Sequence, residues 1–186
     1  MKVLNTYGEA GIVTTNSKKI YNKLLRLRHA GTIRFKNSFK INNSNDISLN
    51  HKIDTIHASI LIEKLKLLNQ VLDRREKIAA YYTKHLKDLM TYQKLKLNEV
   101  HGRYLFLGCF KQRNKLRNFL NSKGIETKVF YSPLLCDAKI YQKSKKYDLS
   151  NSYYILSKIL ALPFHESLSL SQIKFVVKQI RKFYEK

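Results

Sequence analysis

The sequence predicts a mixed α/β chain made of parts of two domains. Three observations carry this. A strand followed by a helix opens the chain over residues 11–30, and a long helical pattern runs from about residue 52 to 89. A strand-helix-strand-helix-helix unit then occupies residues 104–186. The opening part has too few strands to make a sheet of its own. The closing α+β part has enough apolar periodicity to build a core.

Gly11-Ile12-Val13-Thr14-Thr15 has the β-branched composition of a short strand. Asn16 or Ser17 then caps a helix over about 17–30, with Ile20, Leu24 and Leu27 on one face and Gly31 as the stop. Residues 32–50 are rich in Asn, Ser and Lys and have no periodicity, which reads as a long loop. In the helical run, Ile53, Ile56 and Ile60 form one stripe, and Leu61, Leu65, Leu68 and Leu72 continue it. The run exceeds an ordinary helix, so a break is expected near Asn69–Asp73.

Further on, Tyr104-Leu105-Phe106-Leu107 reads as a buried strand. Gln112 to Lys123 reads as a helix closed by Gly124. Ile125, Thr127 and Val129 alternate with Glu126, Lys128 and Phe130, as in a half-buried strand. Residues 131–149 are irregular. Tyr153 to Leu160 reads as helical, ending at Leu162-Pro163. Ser169-x-x-Gln172 is a capping box, and the helix after it turns Ile173, Val176, Val177, Ile180 and Tyr184 inward.

Composition bounds the function. The chain of 186 residues carries 36 Lys+Arg against 13 Asp+Glu, a net charge of +23. That excess raises the possibility of nucleic-acid binding. However, the lysines lie almost evenly from Lys18 to Lys186, and the densest runs, Lys143-Ser144-Lys145-Lys146 and Lys178 to Lys182, are short. No nucleic-acid-binding motif accompanies them, so nucleic acid is the less favoured partner. No apolar run approaches the ~20 residues of a membrane-spanning helix. The two cysteines, Cys109 and Cys136, lack metal or disulfide spacing, and no His pair suits a metal site. No metal, no membrane and a cytoplasmic location are therefore expected.

The order of the motifs is similar to one family. Lys2-Val3-Leu4-Asn5-Thr6-Tyr7-Gly8-Glu9-Ala10-Gly11, followed by Ile12-Val13-Thr14-Thr15-Asn16, resembles the stretch around the cofactor lysine of the DegT/DnrJ/StrS sugar aminotransferases. Leu25-Arg26-Leu27-Arg28-His29-Ala30-Gly31 resembles the family's Leu-Arg-x-His-Gly segment. Asn50-His51-Lys52-Ile53-Asp54 through Leu61, and Arg74-Arg75-Glu76 through Tyr82, resemble its next two helices. Gly124-Ile125-Glu126-Thr127 through Tyr131 and Leu162-Pro163-Phe164-His165 resemble its last strand and loop.

The resemblance implies the aspartate-aminotransferase-like architecture of pyridoxal-phosphate enzymes of fold type I. Residues 1–50 would be the end of the cofactor-binding large domain, 51–90 a connecting helix or helix pair, and 91–186 the small C-terminal domain. It also implies that the other half of such an enzyme precedes Met1, so that the chain is a fragment expected to be inactive alone.

In the family's terms Lys2 is the catalytic, Schiff-base lysine of pyridoxal 5'-phosphate. Asn50 reaches the cofactor phosphate of the neighbouring subunit in a homodimer. On the residues alone, Asn50 is equally suited to cap a helix starting near His51. Tyr131 and His165 border the substrate. The implied substrates are a nucleotide-linked keto-sugar and an amino-acid donor, glutamate first among them. The sequence departs from the family pattern at Lys52 for Arg, His57 for Gln, Ser132 for Pro and Cys136 for His.

Overall fold

The computed structural model describes residues 2–32, 44, 46–96, 98–141 and 147–185. It comprises two compact units, Met1–Leu67 and Leu68–Lys186. The run Lys143-Ser144-Lys145-Lys146 and most of the expected 32–50 loop lie outside the described residues.

In the first unit, α1 spans Lys18–Arg28 and α2 spans Thr55–Lys66. Ser17 caps α1 by accepting the Ile20 N–H through its hydroxyl, as expected. The end of α1 turns on Ala30 (φ 52°) and Gly31 (φ 74°), and the His29 and Gly31 N–H groups both reach the Arg26 carbonyl. The returning segment is fastened to this turn. Arg26 Nε meets Asp46 Oδ2 at 2.6 Å, the Ser48 hydroxyl donates to the Leu27 carbonyl, and His29 pairs with Asn50 in a single antiparallel bridge.

Two expectations fail in this unit. Residues 11–15 form no strand: they have no ladder partner among the described residues, and Ile12 and Val13 stand exposed. Asn50 is not a helix cap, because α2 starts at Thr55 with Asp54 in the cap position, while Asn50 is committed to the bridge with His29. Both failures have one physical origin. β-branched composition and an amide side chain state what a segment can do, and backbone partners decide which option is taken.

The expected break in the long helical run occurs at Leu67, just before the predicted stretch; α3 spans Leu68–Leu86. In the second unit, β1 (Met90–Tyr92), β2 (Phe106–Phe110) and β3 (Ile159–Leu162) form an antiparallel sheet in the order β1-β2-β3. Met90 pairs with Phe110, and Phe106 with Leu162. α4 (Arg113–Ser122), α5 (Ser150–Lys158) and α6 (Leu170–Tyr184) complete the unit.

The period-2 alternation of β2 sends Phe106, Gly108 and Phe110 inward. They meet Ile78, Tyr82 and Leu86 of α3, Leu116 and Leu120 of α4, and the stripe Ile173, Val176, Val177 and Ile180 of α6 in one core. Two helix ends of this unit follow their sequence signals. Gly124 (φ 73°) ends α4 with its N–H on the Asn121 carbonyl and the Ile125 N–H on the Leu120 carbonyl, the paired bonds of a Schellman motif. Ser169 and Gln172 form both bonds of the capping box of α6.

The expected helix Tyr153–Leu160 is divided. It stops at Lys158, and Ile159–Leu162 becomes edge strand β3. A four-residue apolar run is compatible with either state, and its pairing with β2 settles it. β1 carries too short a pattern to be read from sequence. Residues 125–129 alternate as expected, with Ile125 and Thr127 buried, yet they pair with β3 only through Lys128 and Ala161. The irregular stretch after 131 contains two single 3-10 turns, Leu135–Asp137 and Lys139–Tyr141.

Candidate functional site

The candidate residues fall into both units: Lys2 and Asn50 in the first, Tyr131 and His165 in the second. Each pair is built by its own unit.

Lys2 starts an irregular segment, bent at residues 3–4 and 7–8, that α2 holds in place. Lys64 Nζ donates to Asn5 Oδ1 at 2.6 Å, and the Thr6 hydroxyl contacts the His57 carbonyl at 3.5 Å. Gly8 has φ 75°, and a β-carbon there would stand 3.2 Å from His57 Cε1. The glycine thus supplies both a left-handed turn and close passage over the imidazole. His57, one of the departures from the family pattern, is the side chain this turn packs against. Lys2 itself is exposed, and the Asn5 amide donates to its carbonyl at 2.8 Å. Asn50 is also exposed, presented at the end of the bridge with His29.

In the second unit, Tyr131 and His165 lie on two irregular segments, each tied to the body of the unit. Tyr131 hydrogen-bonds Tyr104, just before β2, and this bond keeps the Tyr131 hydroxyl protonated to higher pH than usual. His165 sits in the loop between β3 and α6, which is gripped from α3. Tyr82 donates to the Pro163 carbonyl at 2.9 Å, and Arg74 donates to the carbonyls of Glu166 and Leu168. Arg75 Nη2 and Nε meet Glu166 Oε2 at 2.7 and 2.8 Å. Burial of the Tyr82 ring raises its hydroxyl pKa, so it acts here as a neutral donor.

A groove of ≈ 830 Å³ opens beside these segments, lined by Phe130, Phe164, Phe175, Leu105, Lys128 and Thr127 among others. Phe130 and Phe164 are the chain neighbours of Tyr131 and of His165. The Thr127 hydroxyl is buried there without a hydrogen-bond partner among the described residues. Cys136 is exposed and lies 3.7 Å from the Tyr153 hydroxyl. Among the described residues no group of three or more His, Cys, Asp or Glu could hold a metal ion, and no helix is long and apolar enough to cross a membrane.

Tyr104, Glu166 and the two arginines of α3 were not recognised as site residues from sequence. One signal was available. Arg75 stands in register with Ile78, Ala79, Tyr82 and Leu86, the buried stripe of α3. A charged residue on the apolar stripe of a helix implies a buried partner.

The model for the DegT/DnrJ/EryC1/StrS aminotransferase family matches residues 1–181. The chain belongs to this family. Among members it is similar to the dTDP-3-amino-3,6-dideoxy-alpha-D-galactopyranose transaminase of Aneurinibacillus thermoaerophilus, 27% identical over 93% of this chain and 46% of that one. It is also similar to the dTDP-4-amino-4,6-dideoxy-D-glucose transaminase of Shigella dysenteriae, 28% identical over 97% of this chain and 50% of that one. A crystal structure of a DegT DnrJ EryC1 StrS aminotransferase from Brucella abortus superposes with a TM-score of 0.90 at 27% identity, over 100% of this chain and 49% of that one. The chain thus spans about half the length of the relatives it matches. The fold is that of the family, and the mixed α/β class read from sequence is borne out.

One pH effect follows from the second unit. Burial opposes ionisation of Glu166, but a backbone hydrogen bond and the Arg75 guanidinium outweigh it and hold the carboxyl below the usual glutamate range. A depressed folded-state pKa stabilises the protein above the unfolded value, about 4.3, and that contribution is lost as pH falls through the folded value. Urea midpoints taken from pH 7 down to acid should therefore fall less steeply for Glu166→Gln than for the parent. Parallel curves would exclude Glu166 as a contributor.

Proposed function

We propose that this chain supplies the lysine-bearing part of a pyridoxal-phosphate aminotransferase. The enzyme moves an amino group from an amino acid, glutamate first among donors, to a nucleotide-linked keto-sugar. Its place is in deoxyamino-sugar and surface-glycan synthesis in the cytoplasm, and its working form is a homodimer. The observation that carries this is the family match across residues 1–181; the assignment of Lys2 is supported by the resemblance of Lys2 to Gly11 to the family's cofactor-lysine stretch. The named relatives are transaminases of nucleotide sugars.

The residues present fit the cofactor in kind. Lys2 offers a primary amine for its aldehyde, and Asn50 an amide donor for a phosphate oxygen, both exposed. When bound, pyridoxal phosphate supplies the electron sink for chemistry at the substrate carbon. In this reading Lys2 Nζ would anchor the group and, once the amino-acid donor's amine has displaced it, would take a proton as general base and return it as general acid. Asn50 Nδ2 fixes the phosphate of the neighbouring subunit. Gly8, with φ 75°, lets the backbone pass close behind the site. Tyr131 and His165 border the sugar. Shielding of the Lys2 amine from water has to come from the rest of the assembly, since Gly31 is the one buried residue among those described in the first unit. In isolation Lys2 is therefore expected to bind cofactor poorly.

The test is reductive trapping. The chain is mixed with pyridoxal phosphate and the complementary segment of a relative, reduced with borohydride, and digested for mass spectrometry. The cofactor mass is expected on the Lys2 peptide, lost in Lys2→Ala, and weaker without the complementary segment. Labelling spread evenly over surface lysines would overturn the assignment.

One observation favours a second reading, an association module without catalysis. α2 is apolar around much of its circumference, with Ile56, Ile62 and Leu65 exposed, and it buries no residue. Complex formation with the complementary segment but no trapping at Lys2 would favour that reading.

A further inference from the structure

We infer that Arg75 is a positioning residue that locks the residues just before β2 and the loop carrying His165 into one rigid arrangement. Arg75 is 3% exposed, and every nitrogen of its guanidinium is used. Nε and Nη2 bond Glu166 Oε2, while Nη1 donates to the carbonyls of Arg103 at 2.9 Å and Tyr104 at 3.2 Å. On one side the connection thus ends at the backbone just before β2. From Glu166 it continues to His165, whose Nε2 lies 3.6 Å from Glu166 Oε1. The same guanidinium lies 5.7 Å from the centre of the Phe164 ring, which lines the groove.

Backbone pairing of Phe106 with Leu162 already brings β2 and β3 side by side. Arg74 and Tyr82 hold the 163–168 loop, and Glu76 holds Arg103 through an exposed pair at 2.6 and 2.9 Å. Arg75 adds side-chain hydrogen bonds to both the residues before β2 and the loop after β3. The task requires a planar fork with donors on two edges, which a lysine ammonium lacks. Removing it leaves a carboxylate and two carbonyls without their shared donor. That the His165 loop borders the substrate rests on the aminotransferase reading; its coupling through Arg75 to the residues before β2 does not.

The test is residue-resolved amide exchange and NMR of the full chain, comparing Arg75→Lys, Glu166→Gln and Glu76→Gln with the parent. In Arg75→Lys, exchange in 164–168 and in 104–106 is expected to rise together by about tenfold, with the His165 imidazole signal shifting, while α6 keeps its protection. Glu166→Gln is expected to loosen 164–168 and also to shift the Tyr104 amide, because it frees one edge of the fork. Glu76→Gln is expected to leave His165 unmoved. Acceleration of one segment alone, or uniform acceleration through the unit, overturns the proposal. Should Arg75→Lys fail to fold, Glu166→Gln decides: an unmoved Tyr104 amide overturns it. In a complemented, cofactor-loaded assembly, Arg75→Lys is expected to raise KM more than it lowers kcat. Coupling without any kinetic change would instead count against the aminotransferase reading of the His165 loop.

Discussion

Phe110→Ala is expected to cost about 3–5 kcal/mol, enough to consume much of the stability of an ordinary domain. The ring is fully buried at the end of central strand β2, with Met90 opposite it and the stripes of α3, α4 and α6 around it. Truncation removes the transfer free energy of the ring and leaves a cavity that three helices and a sheet cannot all close. Phe110→Leu keeps most of the volume and should cost less, about 1.5 kcal/mol. Urea unfolding of the full chain followed by circular dichroism checks both. Equal midpoints for Phe110→Ala and the parent would show that the core is not centred on β2.

Gly31→Ala is expected to dismantle the junction between α1 and the 44–51 segment. Two effects add. The left-handed conformation at φ 74° costs about 1–2 kcal/mol for a residue with a side chain. The new β-carbon would also overlap the Asp46 carbonyl oxygen, and neither atom can rotate away because both are fixed to backbone. Gly124→Ala provides the control. Its φ is nearly the same, 73°, but its β-carbon would enter open space, so only the conformational cost applies. Exchange of the His51 amide, which bonds the Arg28 carbonyl, reports the junction directly. Similar costs for the two substitutions would show that Asp46 does not lie over Gly31.

The candidate site was legible to different depths. Lys2 and Asn50 are visible only through motif order: nothing in their own surroundings marks them, as both are exposed. Their roles accordingly remain part of the proposal. Tyr131 and His165 were named from the same order, whereas the groups that hold them were not. Tyr104 lies about 27 residues from Tyr131, and Arg75 about 91 from Glu166. Hydrogen-bond partners at such separation leave no periodic trace. The one trace they left was an arginine inside the apolar stripe of α3.

The sequence by itself determined what is local. Ser17, Gly31, Gly124 and the Ser169–Gln172 box set helix ends, because caps act through side chains and dihedrals within a few residues. It also determined the stripes of α3 and α6, because burial follows a fixed period, and the family, because the motifs keep their order. Tertiary structure decided the rest. Ile159–Leu162 became a strand because β2 offers it a ladder, and Ile12-Val13, with comparable composition, did not because no described strand does. Asn50 became a bridge residue, and Arg75 a shared donor, by the same rule. A backbone or guanidinium donor takes the acceptor that folding brings to it, and that acceptor is fixed by the three-dimensional path of the chain.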